Sequence, residues 1–376
     1  MNILVTGANG FIGKNLISWL ERQDNIKILT FDRENNTNEL ENLLAIADIV
    51  YHLAGVNRPQ TEDEFKTGNT DLTADLCNML LQHGRPIPIF LASSTQALLD
   101  NPYGISKRQA EDLVIRYAAQ SGASVSIYRL TNVFGKWCRP NYNSVVATFC
   151  HHIAHNLPIT ISDPARELEL VYIDDVVKAF LSDLTAANPA GVTYRTVSPS
   201  HTITLGCLAD LICSFLDARH TLNIPDFSNP LVGKLYGTYL SYLPEDNFSY
   251  KLDQKCDPRG CLAEFAKSPT FGQIFVSRTA PGVTRGHHYH HTKAEKFLVL
   301  EGEAMIRFRH LHSDQVIEYP VRGEDFRVVD IPTGYTHSIE NIGARELITL
   351  FWASEVFNLG QPDTCFEPVH PISKNQ

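Results

Sequence analysis

The stretch GHHYHHTKAEKFLVLEG (286–302) carries four histidines and a glutamate within ten positions. His288 and His290 alternate, so on a β-strand both imidazoles would point to the same face. Glu295 follows after a turn, and the later stretch PTGYTHSIEN supplies His337. Imidazoles and carboxylates bind divalent metals, and ligand type alone does not distinguish Zn, Fe, Mn, Ni and Co. We therefore predict a divalent metal, with zinc as the working choice, held by His288, His290, Glu295 and His337.

The remaining polar side chains of this stretch have other predicted roles. His287, Tyr289 and His291 would point to the opposite face of the strand, which favours surface or supporting roles over ligation. Residue type alone does not show which side chain would act as the base that removes a proton at the metal site. His291, Glu324 and Tyr335 are the candidates that lie near the ligands in the sequence motifs.

A second set of reactive residues lies in ASSTQALLDNPYGISK, where Tyr103 and Lys107 are four positions apart. On a helix they share one face, and the ammonium can lie beside the phenol. A nearby cation stabilises a phenolate, lowers the tyrosine pKa and makes the phenol a proton donor or acceptor near neutral pH. Ser94, or alternatively Thr95, ends the preceding strand, where a hydroxyl could hold a substrate carbonyl. The predicted catalytic residues are Ser94, Tyr103 and Lys107.

The chain begins with a strand and the glycine turn TGANGFIG. Such a turn lets the backbone approach a pyrophosphate at a helix N-terminus. The second strand ends in FDR, where Asp32 suits a ribose 2′-hydroxyl and Arg33 suits a 2′-phosphate. We favour NADPH, with a solvated surface role as the alternative for Arg33. The predicted cofactor-binding residues are Gly7, Gly10, Phe11, Ile12, Gly13, Asp32, Arg33, Leu53, Ala54, Tyr103 and Lys107.

Two different periodicities position these residues. Up to about Leu243, short apolar runs alternate with helix-length amphipathic stretches, which indicates a parallel sheet covered on both faces. After Tyr242, turn residues recur at short intervals between short strands, which is typical of a β-sandwich or barrel. The predicted fold class is α/β plus all-β, with a doubly wound Rossmann-type parallel sheet over residues 1–245 and a β-barrel over residues 246–376.

The composition is that of a globular protein, with 43% hydrophobic and 20% charged residues. A formal net charge of −10 argues against a nucleic-acid-binding surface. The eight cysteines contain no C-x-x-C pair, so we expect reduced thiols. Neither a signal-peptide pattern nor an apolar stretch of membrane-spanning length is found in the sequence. We expect a cytoplasmic protein without membrane or nucleic-acid partners.

The N-terminal half resembles the extended short-chain dehydrogenase/reductases that act on nucleotide sugars. The resemblance rests on TGANGFIG, HLAG (52–55), Asn69, the serine pair 93–94, YGISK, RLTNVFG (129–135) and VYIDDVV (171–177). It implies that Ser94, Tyr103 and Lys107 form a catalytic triad and that Asn132 lies near the sugar nucleotide. The spacing from Ser94 to Tyr103 is shorter than usual in the family, which implies that a loop over the active site is missing or replaced.

The C-terminal half resembles the cupins, a family of metal-binding β-barrels. The first cupin motif is matched by Gly282-x5-His288-x-His290-x4-Glu295-x6-Gly302, and the second by Pro332-x-Gly334-x2-His337-x3-Asn341. The gap from Gly323 to Pro332 is longer than in the family. Because cupins often pair, we expect a homodimer.

The two halves together resemble a family of bifunctional bacterial enzymes of capsule and O-antigen biosynthesis. The matching stretches are NPYGISK, FGKWCRPNYNSV, TYLSYLP and HHTKAEKFLV. The resemblance implies that the metal-binding half epimerises carbon 3 of a UDP-2-acetamido-2,6-dideoxy-4-hexulose. The other half then reduces the 4-ketone with NADPH to UDP-2-acetamido-2,6-dideoxy-L-talose, the precursor of UDP-N-acetyl-L-fucosamine.

The chemistry fixes the order of these two steps. A hydrogen beside a ketone is acidic because its removal gives an enolate, which a metal or hydrogen-bond donor stabilises. Reduction removes that acidity, so epimerisation must come first. Two alternatives stay open. The chain could be a reductase whose cupin half is a metal-stiffened dimerisation module, or a non-catalytic NADP sensor, against which intact Tyr103 and Lys107 argue.

Overall fold

The computed structural model describes residues 1–186, 189–360 and 362–371, and the chain divides into two compact units. The first unit comprises residues 1–214 and 230–245, and the second comprises residues 215–229 and 246–376. The segment 215–229 groups with the second unit because its backbone pairs there. The Ile224 amide donates to the Lys267 carbonyl at 2.9 Å, and the Lys267 amide donates to the Leu222 carbonyl at 2.8 Å.

Strands and helices alternate in the first unit. Its strands are β1 (Asn2–Thr6), β2 (Lys27–Phe31), β3 (Ile49–His52), β4 (Ile89–Ser94), β5 (Ser124–Leu130), β6 (Asn132–Phe134), β7 (Glu167–Tyr172), β8 (Gly191–Arg195) and β9 (Ser200–Thr204). Its helices are α1 (Phe11–Leu20), α2 (Thr37–Ile46), α3 (Asp63–Phe65), α4 (Leu72–His83), α5 (Pro102–Ser121), α6 (Val145–Ala154), α7 (Ile173–Thr185), α8 (Leu205–Thr221, which continues into the segment 215–229) and α9 (Pro230–Leu240). A π-helical segment, Lys66–Asp71, precedes α4.

The main sheet of the first unit has the strand order β2-β1-β3-β4-β5-β8, and every pairing in it is parallel. Neighbouring positions of β1 point to opposite faces. Leu4 belongs to one buried apolar cluster, and Ile3 and Val5 belong to another. The sheet is therefore covered on both faces, and the predicted doubly wound α/β fold is confirmed.

The second unit is built from short antiparallel strands. They are β10 (Gln254–Asp257), β11 (Gly260–Ser268), β12 (Gly272–Thr279), β13 (Thr284–Tyr289), β14 (Glu295–Glu301), β15 (Glu303–His310), β16 (Val316–Arg322), β17 (Val328–Ile331), β18 (Tyr335–Asn341), β19 (Leu347–Ala353) and β20 (Cys365–Phe366). They form sheets of the orders β10-β11-β12-β19-β14-β17 and β16-β15-β18-β13-β20. Phe297 and Phe351 from one sheet share a core with Ile306 and Ile339 from the other. The predicted all-β class is confirmed.

One expectation about the cysteines is wrong. Cys256 and Cys261 form a disulfide, because the antiparallel pairing of β10 with β11 places them directly opposite each other, with Cα atoms 4.1 Å apart. The linear spacing of the two cysteines does not reveal this hairpin register. The cysteines with free thiols in the described part of the chain are Cys77, Cys138, Cys150, Cys207, Cys213 and Cys365.

In the three described ranges, no helix is both long enough and apolar enough to cross a bilayer.

Candidate functional site

The glycine turn connects β1 to α1 and packs against the residues that follow β3. Gly7 has a φ of +68°, and a Cβ there would lie 2.7 Å from the Ala54 amide nitrogen. A Cβ on Gly13 would lie 2.3 Å from the Gly7 carbonyl oxygen. Both positions therefore require glycine. The turn ends at the N-terminus of α1, where Phe11 and Ile12 are half-buried, so the predicted cofactor residues of this region lie together.

Asp32 and Arg33 lie at the end of β2, beside this turn. The Asn9 amide donates to Oδ2 of Asp32 at 2.7 Å, and the Arg33 amide donates to Oδ1 of Asp32 at 2.8 Å. The Arg33 side chain is exposed. Among the described residues, none hydrogen-bonds its guanidinium. A carboxylate and an exposed guanidinium therefore lie next to each other at the end of β2, beside the glycine turn.

The structure brings Ser94, Tyr103 and Lys107 together. α5 begins at Pro102 with Asn101 as its N-cap, so Tyr103 lies in the first turn and Lys107 one turn later. Ser94 ends β4, and its hydroxyl lies close enough to the Tyr103 phenol to lower the pKa of that phenol. Nζ of buried Lys107 donates to the Ala92 carbonyl at 3.0 Å. The short connection between strand and helix, residues 95–101, begins with a 3-10 turn, Thr95–Leu98.

The pKa of Tyr103 is shifted in the direction opposite to the one expected from the sequence. Burial raises the pKa of Tyr103, and the opposing effect of the Ser94 hydroxyl does not offset this, so the expected lowering of the pKa of Tyr103 is wrong. The sequence could not reveal how deeply the phenol is buried. Burial lowers the pKa of Lys107 to about 8, against an opposing effect of Glu111. Tyr103 therefore holds its proton at neutral pH and can donate it.

Glu111 supports the triad and is absent from the sequence-based prediction. It lies one further turn along the face of α5 that carries Tyr103 and Lys107, and it is buried. Its carboxylate accepts hydrogen bonds from Ser93 Oγ at 2.5 Å, and from Arg129 Nε at 3.0 Å and Nη2 at 2.6 Å. The four-residue spacing 103, 107, 111 is the signal that could have identified it.

Asn69 and Asn132 both belong to the motifs on which the family resemblance of the first half rests. Asn69 is buried, and its Nδ2 donates to Ser106 Oγ at 3.0 Å, which in turn donates to the Tyr103 carbonyl at 2.8 Å. Asn69 thus fixes the loop after β3 against the start of α5. Asn132 is exposed at the start of β6, and its Nδ2 donates to the Glu169 carbonyl at 3.0 Å.

The four predicted metal ligands converge in the second unit. One potential ligand atom from each of His288, His290, Glu295 and His337 lies within 4.8 Å of the others. Nε2 of His290 and Nε2 of His337 lie 3.4 and 3.5 Å from Oε2 of Glu295. Neither of these Nε2 atoms has a hydrogen-bond partner among the described residues, although both are buried. Buried imidazole nitrogens around one carboxylate oxygen fit a divalent metal.

The electrostatics of the cluster also suit a metal. Burial, His337 and His290 lower the pKa of His288 to about 4, so its imidazole is neutral at pH 7. Burial alone would raise the pKa of Glu295, but its interactions with His290 and His337 outweigh that effect and lower it. A neutral imidazole and an ionised carboxylate are the forms that bind metals.

Comparisons with known proteins agree with both units. Residues 3–195 match the NAD dependent epimerase/dehydratase family, and residues 255–365 match the polysaccharide biosynthesis C-terminal domain. A Pseudomonas aeruginosa protein, UDP-2-acetamido-2,6-beta-L-arabino-hexul-4-ose reductase, is 44% identical over 364 residues, which cover 97% of this chain and 98% of the relative. The chain belongs to the NAD dependent epimerase/dehydratase family.

Solved structures resemble the whole chain. The capsular polysaccharide assembling protein CapF from Staphylococcus aureus has a TM-score of 0.91 and 46% identity, with 98% of this chain and 100% of that chain covered. A CapF structure with the inhibitor 3-isopropenyl-tropolone has a TM-score of 0.87 and 42% identity, with the same coverage. The structural similarity to CapF thus covers the second unit as well as the first.

The metal cluster is supported from the C-terminal segment. A carbonyl oxygen can only accept, so the bond between His290 Nδ1 and the Asp363 carbonyl places the proton on Nδ1 and directs Nε2 toward Glu295. The Asp363 carboxylate accepts from the backbone amides of His291, Thr292 and Lys293, each at 2.9 Å. Burial alone would raise the pKa of Asp363, but the hydrogen bonds from these amides outweigh that effect and lower the pKa.

Lys293 is a second supporting residue that the sequence reasoning missed. It is buried, and its Nζ lies 3.6 Å from Oε1 of Glu295, the oxygen turned away from His290 and His337. An ammonium in this position balances the charge of the carboxylate and holds its orientation. Its place two residues before Glu295 was the available signal.

His287 lies outside the metal-type cluster. A β-bulge between Gly286 and His288 interrupts the alternation, and His287 has a φ of +58°. His287 Nδ1 accepts from the Val369 amide at 3.4 Å, which is a supporting role.

The three candidate bases are not among the residues that line the cavity beside the metal ligands. His291 and Glu324 are exposed, and the Tyr335 ring contacts His310 with centroids 5.0 Å apart. The sequence motif placed them near the ligands, but the cavity beside the cluster is lined by other residues.

Proposed function

We propose that this chain is a bifunctional nucleotide-sugar enzyme. The second unit epimerises carbon 3 of a UDP-2-acetamido-2,6-dideoxy-4-hexulose, and the first unit reduces the 4-ketone to UDP-2-acetamido-2,6-dideoxy-L-talose, a precursor of UDP-N-acetyl-L-fucosamine for capsule or O-antigen. One observation carries the proposal: a single chain contains both a Ser94–Tyr103–Lys107 site and a four-residue metal-type cluster. The Pseudomonas aeruginosa relative is named as a reductase of such a 4-keto sugar, which supports the substrate class.

In the reductase site, NADPH held at the glycine turn would supply the hydride for the 4-ketone. Ser94 holds the carbonyl oxygen by a hydrogen bond, and Tyr103 donates its proton to that oxygen as negative charge develops. The raised pKa of buried Tyr103 suits a proton donor. Lys107 stabilises the phenolate that remains, and Glu111 opposes the effect of burial and so helps to keep Lys107 charged. Exposed Arg33 would bind the 2′-phosphate that distinguishes NADPH from NADH.

In the second unit, His288, His290, Glu295 and His337 would hold a divalent metal, zinc by preference, in a cupin barrel. Such a metal supplies Lewis acidity toward a carbonyl oxygen, which acidifies the neighbouring C–H group. The residues of the chain contribute by excluding water, because His290, Glu295 and His337 are buried. CapF binds a tropolone inhibitor, whose adjacent oxygens chelate divalent metals, and this supports a metal in the related cluster.

A second candidate function is favoured by the number of ligands. Four protein ligands complete the tetrahedral shell of zinc, as in structural sites, whereas catalytic zinc sites keep an open position. The second unit would then be a metal-stiffened dimerisation module, and only the reductase would act on substrate. Against this, three of the four ligands, His288, Glu295 and His337, line a cavity that could admit substrate.

Deuterium exchange separates the two candidates. Incubated in heavy water with the UDP-4-keto sugar and no NADPH, the wild type should place deuterium on carbon 3, and Tyr103→Phe should do so equally well. His290→Ala and Glu295→Ala should lose both the metal and the exchange while still binding NADPH. His312→Ala, an exposed histidine of the same unit, is the matched control. A wild type without exchange would reduce the proposal to the reductase alone.

A further inference from the structure

The second unit contains a cavity of about 250 Å³ beside the metal-type cluster. Its walls differ in character. The cluster residues His288, Glu295 and His337 form part of it, and two arginines, Arg259 and Arg285, form another part. The apolar lining consists of Leu262, Phe275, Phe297, Ile339 and Phe351. The stacked rings of Phe275 and Phe351, 4.8 Å apart, suit the carbon face and methyl group of a deoxy sugar.

Arg285 is incompletely satisfied in this cavity. Its Nε donates to Thr279 Oγ1 at 3.0 Å, but its Nη2 is buried without a hydrogen-bond partner in the described chain. None of the ion pairs formed by the described residues includes its guanidinium. Burial, together with the charge of Arg259, lowers the pKa of Arg285, and the opposing effect of Asp257 does not offset this. A buried donor with positive charge is costly unless a ligand satisfies it.

Arg259 differs from Arg285 in its partners. Its Nε and Nη2 donate to Oδ2 of Asp257 at 3.0 and 2.5 Å, and its side chain is 57% exposed. Arg259 therefore marks the part of the cavity that is open to solvent. The volume lies below the range of about 300–1,000 Å³ for sites of drug-sized ligands. It suits one sugar ring, and leaves a nucleotide attached to that ring outside.

We propose that Arg285, with Arg259 as a second contact, binds the diphosphate of the nucleotide sugar at the opening of this cavity. The sugar ring then lies against the phenylalanines and faces the metal-type cluster. The inference rests on the proposed function and extends it, because it gives the second unit its own nucleotide-sugar site. Guanidinium groups suit this role, since they hold phosphate oxygens by paired hydrogen bonds.

Calorimetric titration with UDP tests the inference without turnover. The wild type should bind one UDP in each unit. Arg285→Ala should weaken one of the two sites by about 10- to 100-fold, as expected for a charge-assisted contact. Arg285→Lys should restore part of that loss. Arg278→Ala is the matched control, because Arg278 lies on β12 and pairs with exposed Glu346. Unchanged UDP binding by a folded Arg285→Ala protein would overturn the inference.

Two further ligands identify what the arginine recognises. In the wild type, pyrophosphate should compete with UDP at the site that Arg285→Ala weakens, whereas uridine should not. Competition by uridine but not by pyrophosphate would place the base rather than the phosphates at Arg285, and would also overturn the inference. Thermal melting and metal content of each variant show whether the fold and the cluster persist.

Exchange kinetics separate failure of this inference from failure of the proposed function. If the wild type exchanges deuterium, Arg285→Ala should raise the substrate concentration for half-maximal exchange and leave the maximal rate within a few-fold. A loss of maximal rate with unchanged half-saturation would mean that Arg285 acts on the reacting carbonyl instead. If the wild type shows no exchange but Arg285→Ala still loses a UDP site, the anion site stands and the epimerase activity does not.

Discussion

The ammonium of Lys107 donates a 3.0 Å hydrogen bond to the carbonyl of Ala92, on the strand that ends in Ser94. This bond joins the strand that would hold the substrate carbonyl to the helix that carries the proton donor. Tyr103 and Lys107 lie one turn apart on α5, so their relative position is set by the helix itself. Together with the Ser93–Glu111 hydrogen bond, which also joins β4 to α5, this bond holds the triad residues in place.

Tyr103→Phe should lower the rate of NADPH oxidation by about 10²- to 10⁴-fold, because it removes the proton donor and keeps the ring. NADPH affinity should be unchanged, since the glycine turn is untouched. Steady-state kinetics with the UDP-4-keto sugar measure the rate, and fluorescence titration measures the affinity. Tyr117→Phe, on the same helix, removes a hydrogen bond to the Ile87 carbonyl and is the control. Wild-type turnover by Tyr103→Phe would exclude it as the donor.

The reductase should lose activity as the pH rises above about 8, because the pKa of Lys107 is lowered to about 8 and the ammonium loses its proton above that pH. Glu111 raises the pKa of Lys107, so in Glu111→Gln the alkaline fall of kcat/KM should occur at lower pH. A merely structural role for Glu111 would reduce kcat/KM without changing the pH at which it falls. A flat profile from pH 7 to 9.5 would contradict the role assigned to Lys107.

Arg33→Ala should weaken NADPH binding by about 10- to 100-fold and leave NADH binding nearly unchanged, because one charge-assisted contact to the 2′-phosphate is lost. Competitive titration with both cofactors measures the difference. Arg22→Ala is the matched control, because Arg22 is exposed just after the far end of α1. Equal losses for both cofactors would show that Arg33 is only a solvated surface residue.

Asp363→Ala should weaken metal binding by about 10- to 100-fold although Asp363 is not a ligand, because it holds the backbone of 291–293 through three amides. Competition with a chelator of known affinity measures the effect. Asp314→Ala, which changes an exposed acid of the same unit, should have no effect. Unaltered metal affinity in a folded Asp363→Ala protein would limit this residue to loop stability.

Local spacing predicted much of both sites. The four-residue step from Tyr103 to Lys107 and the glycine turn are short-range patterns, and the helix and turn that they predict are present. The four candidate ligands also converge, although His337 is distant in sequence, because the motif resemblance supplied that long-range pairing.

The missing parts depend on long-range packing. Nothing local links Asp363 to His290, which lies 73 residues earlier, and the link is made by the pairing of β20 with β13. The direction of the pKa shift of Tyr103 depends on burial, which residue spacing does not report. The disulfide depends on the register of a hairpin between β10 and β11, and the sequence pattern did not reveal that register.

The support that Asp363 gives to the metal-type cluster has a consequence for protein synthesis. A ribosome releases the chain from its N-terminus, so all four candidate ligands emerge before Asp363 does. Until then His290 lacks the carbonyl that fixes its proton on Nδ1, and either ring nitrogen is free to bind an ion. A metal captured by the nascent chain would therefore meet an unselected set of donors. The donor set of the metal-type cluster is therefore complete only once the segment that contains Asp363 has been synthesised and has folded against His290.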